Sequence, residues 1–396
     1  MGEVLRQFEP NDNFEGYKSE KENFLKEYSF ELENSVGQED ETEKIKYVNR
    51  SKEFVDEKEG GIDSKILESP NGLNQYFEDN GFKSIKPISI VKKDGTTLYV
   101  SSGVQILDLV IHEESDIPEN KIFIAQPVVR TQFIDSVKDN VSTSFINLST
   151  ESVNGDANDH FNSVIKWFSF MKLLGISSGE ITVIEKSTSQ RWGKRKFDNL
   201  VLKFLYKGLE IGDAIYIPAM PQDTRSPISI SDIGFGIERL NSVVNDVLYF
   251  NAIVKDDPEM INLSKKILDY IRTLTLICSS GVEPSNSDHG YRFRLFAKRI
   301  VPEILGLGID VSKLVTFFFN EWNKWCNLQT DVDHTISIIG KELDRNLNRL
   351  ILDEVNKTHR LIGIEINRST EQFWTALRNS GVSEDEVSLL KNKYNI

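Results

Sequence analysis

The 396-residue chain predicts an α+β fold, a mainly antiparallel sheet flanked by helices and followed by an all-helical region. Two changes of hydrophobic period and one of charge carry that expectation. From about Leu67 to Tyr249 apolar residues fall in short β-rich runs joined by Gly or Asp turns such as YKGLEIGD. From about Asn251 onward the pattern is helical almost throughout. Ahead of both, residues 1–60 hold seventeen acidic and nine basic side chains, a net of −8 out of −14 for the chain. The predicted layout is a charged N-terminal extension over 1–66, a sheet domain over 67–250 and a helical domain over 251–396.

Taken in order, the extension is Glu/Lys-rich with sparse aromatics (Phe8, Phe14, Tyr17, Phe24, Tyr28, Phe30). It reads as a solvated, partly helical segment or as a partner-binding arm. Strands are expected at KPISIVKK, TTLYVSSG, KIFIAQPVVRTQF, VSTSFINLST, GEITVIEKS, DNLVLKFLYK, DAIYIPAMP and SPISISDIGFGI. An amphipathic helix, DHFNSVIKWFSFMKLLGI, lies between the fourth and fifth, with Phe161, Val164, Ile165, Phe168 and Met171 at helical spacing. In the C-terminal region Gly281, Gly306 and Gly308 are helix stops, with Ser285 and Asp310 as caps.

Bulk properties exclude several classes. No window reaches the roughly 18 consecutive apolar residues of a membrane span, and the start of the chain lacks a signal-peptide layout. A cytoplasmic protein with no membrane partner is expected. Cys278 and Cys326 have no CxxC spacing and are expected to be reduced and buried. Five scattered histidines (His112, His160, His289, His334, His359) suggest no zinc site, and no protein-bound metal is assigned. The acidic balance argues against a DNA binder, although the chain after residue 60 is only mildly acidic and has room for a local basic surface.

The segment SDIGFGIERLNSVVN, Ser231–Asn245, holds the densest chemistry. A strand runs through Gly234 and Gly236 and straight into a helix, whose N-terminus favours an anion. Two glycines on one strand face allow close approach of a ligand or, as is commoner at such a strand end, of a packing side chain. Arg239, one turn in, offers a planar guanidinium to a purine ring or a phosphate. Arg130, after the apolar strand Ile122–Val129, needs an anionic partner, which is either a structural carboxylate or a phosphate.

The order GLNQYFEDNGF, TTLYVSSGVQIL, VVR then TSF, DNLVLKF, DIGFGIERL and GVEPSNSDHGYRFRLFAKRI resembles the N-terminal half of alanyl-tRNA synthetases, which are class II aminoacyl-tRNA synthetases. The resemblance covers roughly Leu67 to Ile396. DIGFGIER is similar to the family's motif 3, and PSNSDHGYRFRLFAKR is similar to its Pro-Ser-Asn, Gly-Tyr and basic-helix stretch. It implies a class II synthetase-like antiparallel sheet, with ATP, Mg²⁺ and a small amino acid as substrates and tRNA as acceptor. By position, Arg130 matches the motif 2 arginine on the α-phosphate, and Phe145 the aromatic beneath adenine. Arg239 matches the motif 3 arginine that caps the adenine and meets the γ-phosphate, with Gly236 clearing space for ATP. Asp232 would take the α-ammonium, and Asn199, Gly234 and Trp192 would shape the amino-acid pocket. Asn286, Arg294, Lys298 and Arg299 would contact tRNA; without the resemblance, the same helix reads as a solvated basic face.

Departures from the family pattern carry their own implications. The loop between Arg130 and Phe145 is shorter than the family's and lacks its His-His pair. Ile146 and Asn147 stand where the family has Glu-Met. Near the end, STEQFWTALRNSGVSEDEV matches a family segment but without its aspartate. Editing and C-terminal domains are expected to be absent. The leading expectation is an ATP-dependent activator of a small amino acid, alanine above all, that charges tRNA. One alternative keeps the adenylation but uses a carrier protein, peptide or small molecule as acceptor, and a second is a non-catalytic tRNA-binding regulator. The sequence leaves the oligomeric state open.

Overall fold

Helices begin where a capping residue meets an apolar period, and strands where that period drops to two. The computed structural model describes residues 10–39, 42–49, 64–92, 97–111, 121–192, 195–218, 228–255, 257–356 and 369–394. α1 (Pro10–Glu27) precedes β1 (Phe30–Glu39) and β2 (Thr42–Asn49); α2 (Pro70–Asp79), with Pro in its first turn, precedes β3 (Lys83–Ile85). After the short α3 (Asp108–Ile111) come β4 (Lys121–Val129), β5 (Ser144–Val153) and α4 (Ala157–Leu173). β6 (Ile181–Trp192), β7 (Arg195–Tyr206), β8 (Leu209–Ile217) and β9 (Ile230–Gly236) follow, and β9 runs directly into α5 (Ile237–Asn245). The remaining elements are α6 (Tyr249–Val254), α7 (Lys265–Ser279), α8 (Asp288–Ile304), α9 (Val311–Asn323), α10 (Val332–Val355), α11 (Thr370–Asn379) and α12 (Glu384–Tyr394).

The described strands form one nine-stranded sheet, β1-β2-β6-β7-β8-β9-β5-β4-β3. Among them only β3 and β4 pair in parallel, as the short connections predict. The β7–β8 turn shows why: Lys207 and Gly208 both take positive φ, 48° and 86°, the geometry of a tight hairpin. Alternation then sorts each strand between two faces. In β5, Ile146, Leu148 and Thr150 face α4, whose Trp167 Nε1 donates to Thr150 Oγ1 at 2.8 Å and whose ring stacks on Phe235 of β9 at 4.5 Å. Phe145, Asn147, Ser149 and Glu151 point the other way.

Three expectations change. The charged extension is, over its described residues, part of the folded sheet: β2 pairs with β6, and Tyr17, Phe24, Leu25 and Phe30 are buried in the main core. Lys21 seals α1 to the sheet through Glu185 at 2.8 Å. Over their described residues the expected strands KPISIVKK and TTLYVSSG make only an isolated bridge, Val91 to Tyr99; Pro87 has no N–H to give a ladder. Ser285 is not a helix cap, because α8 starts at Asp288 after Ser287, whereas Asp310 does cap α9, accepting from Lys313 N at 3.1 Å.

α7 is buried on every side from Ile267 to Ser279, the signature of a helix enclosed by other elements. One apolar cluster runs from α1 and the sheet through α7, α8 and α9 into α10, and a second joins the end of α10 to α11 and α12. The change at residue 251 is therefore a change of element type within one core. Cys278 is buried, Cys326 is half-buried and both are free thiols, each pushed up to about 12 by burial. Among the described residues no helix is long and apolar enough to cross a membrane.

Candidate active site

The register of the central strands assembles the site. Arg130 follows β4, and its N–H donates to Thr143 O at 2.7 Å, which extends the ladder by one pair and sets its side chain on the face of Phe145. Asn147 stands opposite Gly236, Ser149 opposite Gly234 and Glu151 opposite Asp232. On the far side of β9, Asp213 faces Gly234 and Ile215 faces Asp232. One sheet face thus carries guanidinium groups at one end and carboxyl groups at the other.

At the cationic end, Arg130 Nε donates to Ser101 O at 2.9 Å, and its guanidinium lies 4.8 Å from the Phe145 ring centroid. Burial holds this guanidinium below the ordinary arginine range, with Asp213 opposing. Arg239 donates to Asn140 O through Nη2 at 3.0 Å and to Glu210 O through Nη1 at 2.8 Å. Backbone carbonyls hold both side chains without neutralising them. A Cβ at Gly236 would meet the Phe145 ring at 3.8 Å and Arg239 at 4.0 Å, so the glycine keeps a gap open between an aromatic ring and a guanidinium.

α7 supports this end from behind. Buried Asp269 accepts from Thr143 N at 2.8 Å and Thr143 Oγ1 at 2.6 Å; burial pushes its carboxyl up to about 6, against those hydrogen bonds. Arg272 donates to Ser144 O at 2.6 Å, pairs with Glu238 and packs over Trp322 at 4.4 Å. Glu238 in turn accepts from Ile146 N at 3.0 Å. The β5 start and α5 are therefore fixed by charge-assisted bonds to one helix.

At the acidic end, Ser149 Oγ donates to Glu151 Oε1 at 2.5 Å and lies 3.4 Å from Asp232 Oδ1. Glu151 and Asp232 are 1% and 7% exposed. Burial first, then the charge of Asp213, pushes Asp232 up to about 7; Glu151 rises well above the usual carboxylate range through burial and the charge of Asp232. Asp213 is pushed up to about 6, by burial and then by Glu210. Beyond this row lies a small apolar cluster of Val153, Ile217, Ile230, Leu107, Ile111 and Trp192. Trp192 Nε1 donates to Asp108 Oδ1 at 2.7 Å. Asn199, 3% exposed, gives Nδ2 to Thr188 at 3.5 Å, and its Oδ1 has no partner among the described residues.

Gly234 differs from expectation. The space above it holds the Asn147 amide, 3.0 Å from where a Cβ would lie, so a packing side chain and not an open pocket explains that glycine. Asn147 Oδ1 also accepts from Gly103 N at 2.7 Å, which seats the turn Gly103–Leu107 on the sheet. Glu151, Asp213 and Asp269 are site residues not expected from the sequence, and Asn147, expected only as a departure from the family pattern, lies among them. Counting by twos from Phe145 reaches Asn147 and Glu151.

The basic helix is less free than its composition suggests. Asn286 accepts from Arg294 Nη1, and Arg294 Nε is 3.6 Å from Glu342. Arg299 pairs with Asp135 at 3.0 Å. Lys298 is exposed, with no ion pair among the described residues. No group of three or more His, Cys, Asp or Glu that would cage a metal occurs among the described residues.

No protein-family model matches the chain. Among curated proteins it is similar to the alanine–tRNA ligase of Staphylothermus marinus, 23% identical over 308 residues, covering 61% of this chain and 33% of that enzyme. The alanine–tRNA ligase of Aeropyrum pernix is 22% identical, covering 76% of this chain and 41% of that enzyme. The chain thus spans about a third to two-fifths of the length of these relatives. Among solved structures, the pyrrolysyl-tRNA synthetase PylSc of Desulfitobacterium hafniense overlaps 44% of this chain and 64% of its own, at 14% identity and a TM-score of 0.30.

Proposed function

From this similarity to alanine–tRNA ligases, we propose that the chain activates a small amino acid, alanine or one of similar size, with MgATP and passes the aminoacyl group to tRNA. The observation that carries the reading is the convergence of Arg130 and Arg239 on the gap kept by Gly236 beside Phe145, with Asp232 on the same face of the sheet.

In this reading the amino-acid carboxylate attacks the α-phosphorus of ATP. The new O–P bond forms as the bond to pyrophosphate breaks, and the acceptor hydroxyl later displaces AMP from the carbonyl. No general base is required in the first step, since the attacking carboxylate is already ionised. Arg130 stabilises charge on the α-phosphate, while Arg239 and Phe145 sandwich the adenine. Asp232 takes the α-ammonium. Mg²⁺ enters with the ATP phosphates, as is usual for this ion, with Asp213 and Glu210 as the carboxylates next to Arg130; it would offset phosphate charge. The protein's share is positioning and electrostatic stabilisation.

The test is amino-acid-dependent pyrophosphate exchange, run with and without tRNA. Arg239→Ala is expected to lower the exchange rate about a hundredfold, ~3 kcal/mol; exchange near the wild-type rate in that variant overturns the site. A second reading, adenylation with transfer to a carrier protein, peptide or small molecule, draws support from the basic helix, where Arg294 and Arg299 are engaged by the protein's own carboxylates. Adenylate formation with no tRNA charging would select it.

A further inference from the structure

Among the described residues the Arg130 guanidinium has one hydrogen-bond partner, Ser101 O, 2.9 Å from Nε, so its two Nη groups are aimed by wherever that carbonyl sits. Resting on the adenylation reading, we propose that His289, in the first turn of α8, is a positioning residue for Arg130: it seats segment 98–101, whose last carbonyl holds the guanidinium.

Two bonds clasp that segment to α8. His289 Nε2 donates to Leu98 O at 2.5 Å, and the Tyr99 hydroxyl donates to His289 O at 2.9 Å. A carbonyl can only accept, so this partner fixes the Nε2–H tautomer. Leu98 O also takes Lys92 N, at 3.1 Å, and the buried Tyr99 ring meets the imidazole edge-on at 5.1 Å. Beyond Tyr99 the chain passes through buried Val100, whose N–H donates to Ile90 O at 2.9 Å and whose carbonyl accepts from Val129 N at 2.8 Å. Ser101 follows Val100, as Arg130 follows Val129. The segment is thus gripped by α8 at one end and tied to the end of β4 at the other. α8 is firm where it grips: a Cβ on Gly290 would collide with Ser285 N and Glu283 O, so the loop ahead of the helix lies directly on its first turn. None of these bonds reaches Asp232. Loosening the clasp is therefore felt at the ATP arginine and not in the amino-acid pocket, and small misplacements of a phosphate-binding group are costly.

A double-mutant cycle on the full chain tests this, read by pyrophosphate exchange and by calorimetric MgATP affinity. His289→Ala is expected to slow exchange on the order of tenfold and to raise the ATP KM, with the amino-acid KM within about twofold. His289→Gln, whose Nε2 can donate to the same carbonyl, is expected to recover most of the loss. Tyr99→Phe deletes one hydroxyl, keeps the ring and is expected to shift exchange the same way by about threefold. In an Arg130→Ala background, His289→Ala is expected to add less than about twofold. Equal losses in both backgrounds, or an amino-acid KM that rises as much as the ATP KM, overturn the proposal. If His289→Ala fails to fold, Tyr99→Phe takes its place in the cycle under the same criteria. If the wild type exchanges with no amino acid, the adenylation reading falls and the cycle is read from MgATP affinity: non-additive losses uphold the placement of Arg130 by His289, and additive losses overturn it. A wild type that binds no MgATP overturns both.

Discussion

Arg130 and Arg239 are tied to the carbonyls of Ser101, Asn140 and Glu210, whereas Glu151 and Asp232, on the same sheet face, crowd one serine hydroxyl as a neighbouring carboxyl pair. The cationic end is pre-organised, with its charge intact and its geometry fixed by backbone. The acidic end is held near neutrality by burial, and its protonation state belongs to the carboxyl pair. A ligand that meets the first changes little in the protein. One that brings an ammonium to the second displaces a proton.

Five experiments break or sharpen this contrast. The largest effect is expected from Arg130→Ala, which removes the fixed charge assigned to the α-phosphate. Exchange is expected to fall about a hundredfold or more, ~3 kcal/mol, with the amino-acid KM nearly unchanged. A smaller, opposite split is expected from Asp232→Asn: the amino-acid KM rises on the order of tenfold or more while the ATP KM stays within about twofold. Equal effects on both substrates would remove Asp232 from the amino-acid pocket.

The acidic end also predicts a pH signature. Burial and the charge of Asp213 push Asp232 up to about 7 in the fold, from the ordinary carboxylate range of about 4 in the unfolded chain. The native state therefore binds more protons than the unfolded state between these values, and stability falls as pH rises from about 4 to about 7. Asp213 and Asp269, each raised to about 6, add in the same direction. Urea midpoints across that range are expected to decline in the ligand-free wild type and to decline less in Asp232→Asn. A saturating amino-acid ligand should flatten the slope, with proton release visible as buffer-dependent binding enthalpy.

Asp269→Leu tests whether the brace serves only the cationic end. Its side chain offers no acceptor to Thr143 N, leaving a buried N–H unpaired at about 1–3 kcal/mol. The ATP KM is expected to rise with the loss of stability, and the amino-acid KM to stay. The smallest effect is expected from Lys298→Glu. Exchange is unchanged, tRNA affinity falls a few-fold, and the salt dependence of binding flattens by about one unit of slope. Unaltered tRNA binding would mark α8 as a solvated face.

The sequence made the cationic end readable because its signals are local: an arginine after an apolar strand, and a strand-glycine-helix junction with Arg239 one turn on. The acidic end needs pairing information, since Glu151 means little until β9 is laid beside β5. The N-terminal region misled for a related reason. Its Glu and Lys residues dominate the composition, yet Tyr17 and Phe24, seven apart, mark one helix face, and Lys21 is spent on Glu185 of a strand 164 residues away. Arg294 likewise reads as a free base on its own helix until Glu342 of α10 is placed next to it.

The brace from α7 has a consequence for how this chain is divided and recombined. A fragment cut where strands give way to helices, near residue 250, would remove the acceptor for Thr143 and the counter-ion of Glu238, and would uncover apolar surface that α7 now shields. The smallest transferable module is therefore the sheet together with α7 and the helices α8 to α10 that enclose it. A chimera joined near residue 250 keeps the carbonyls that hold both guanidiniums but loses the buried bonds that fix the start of β5 and α5.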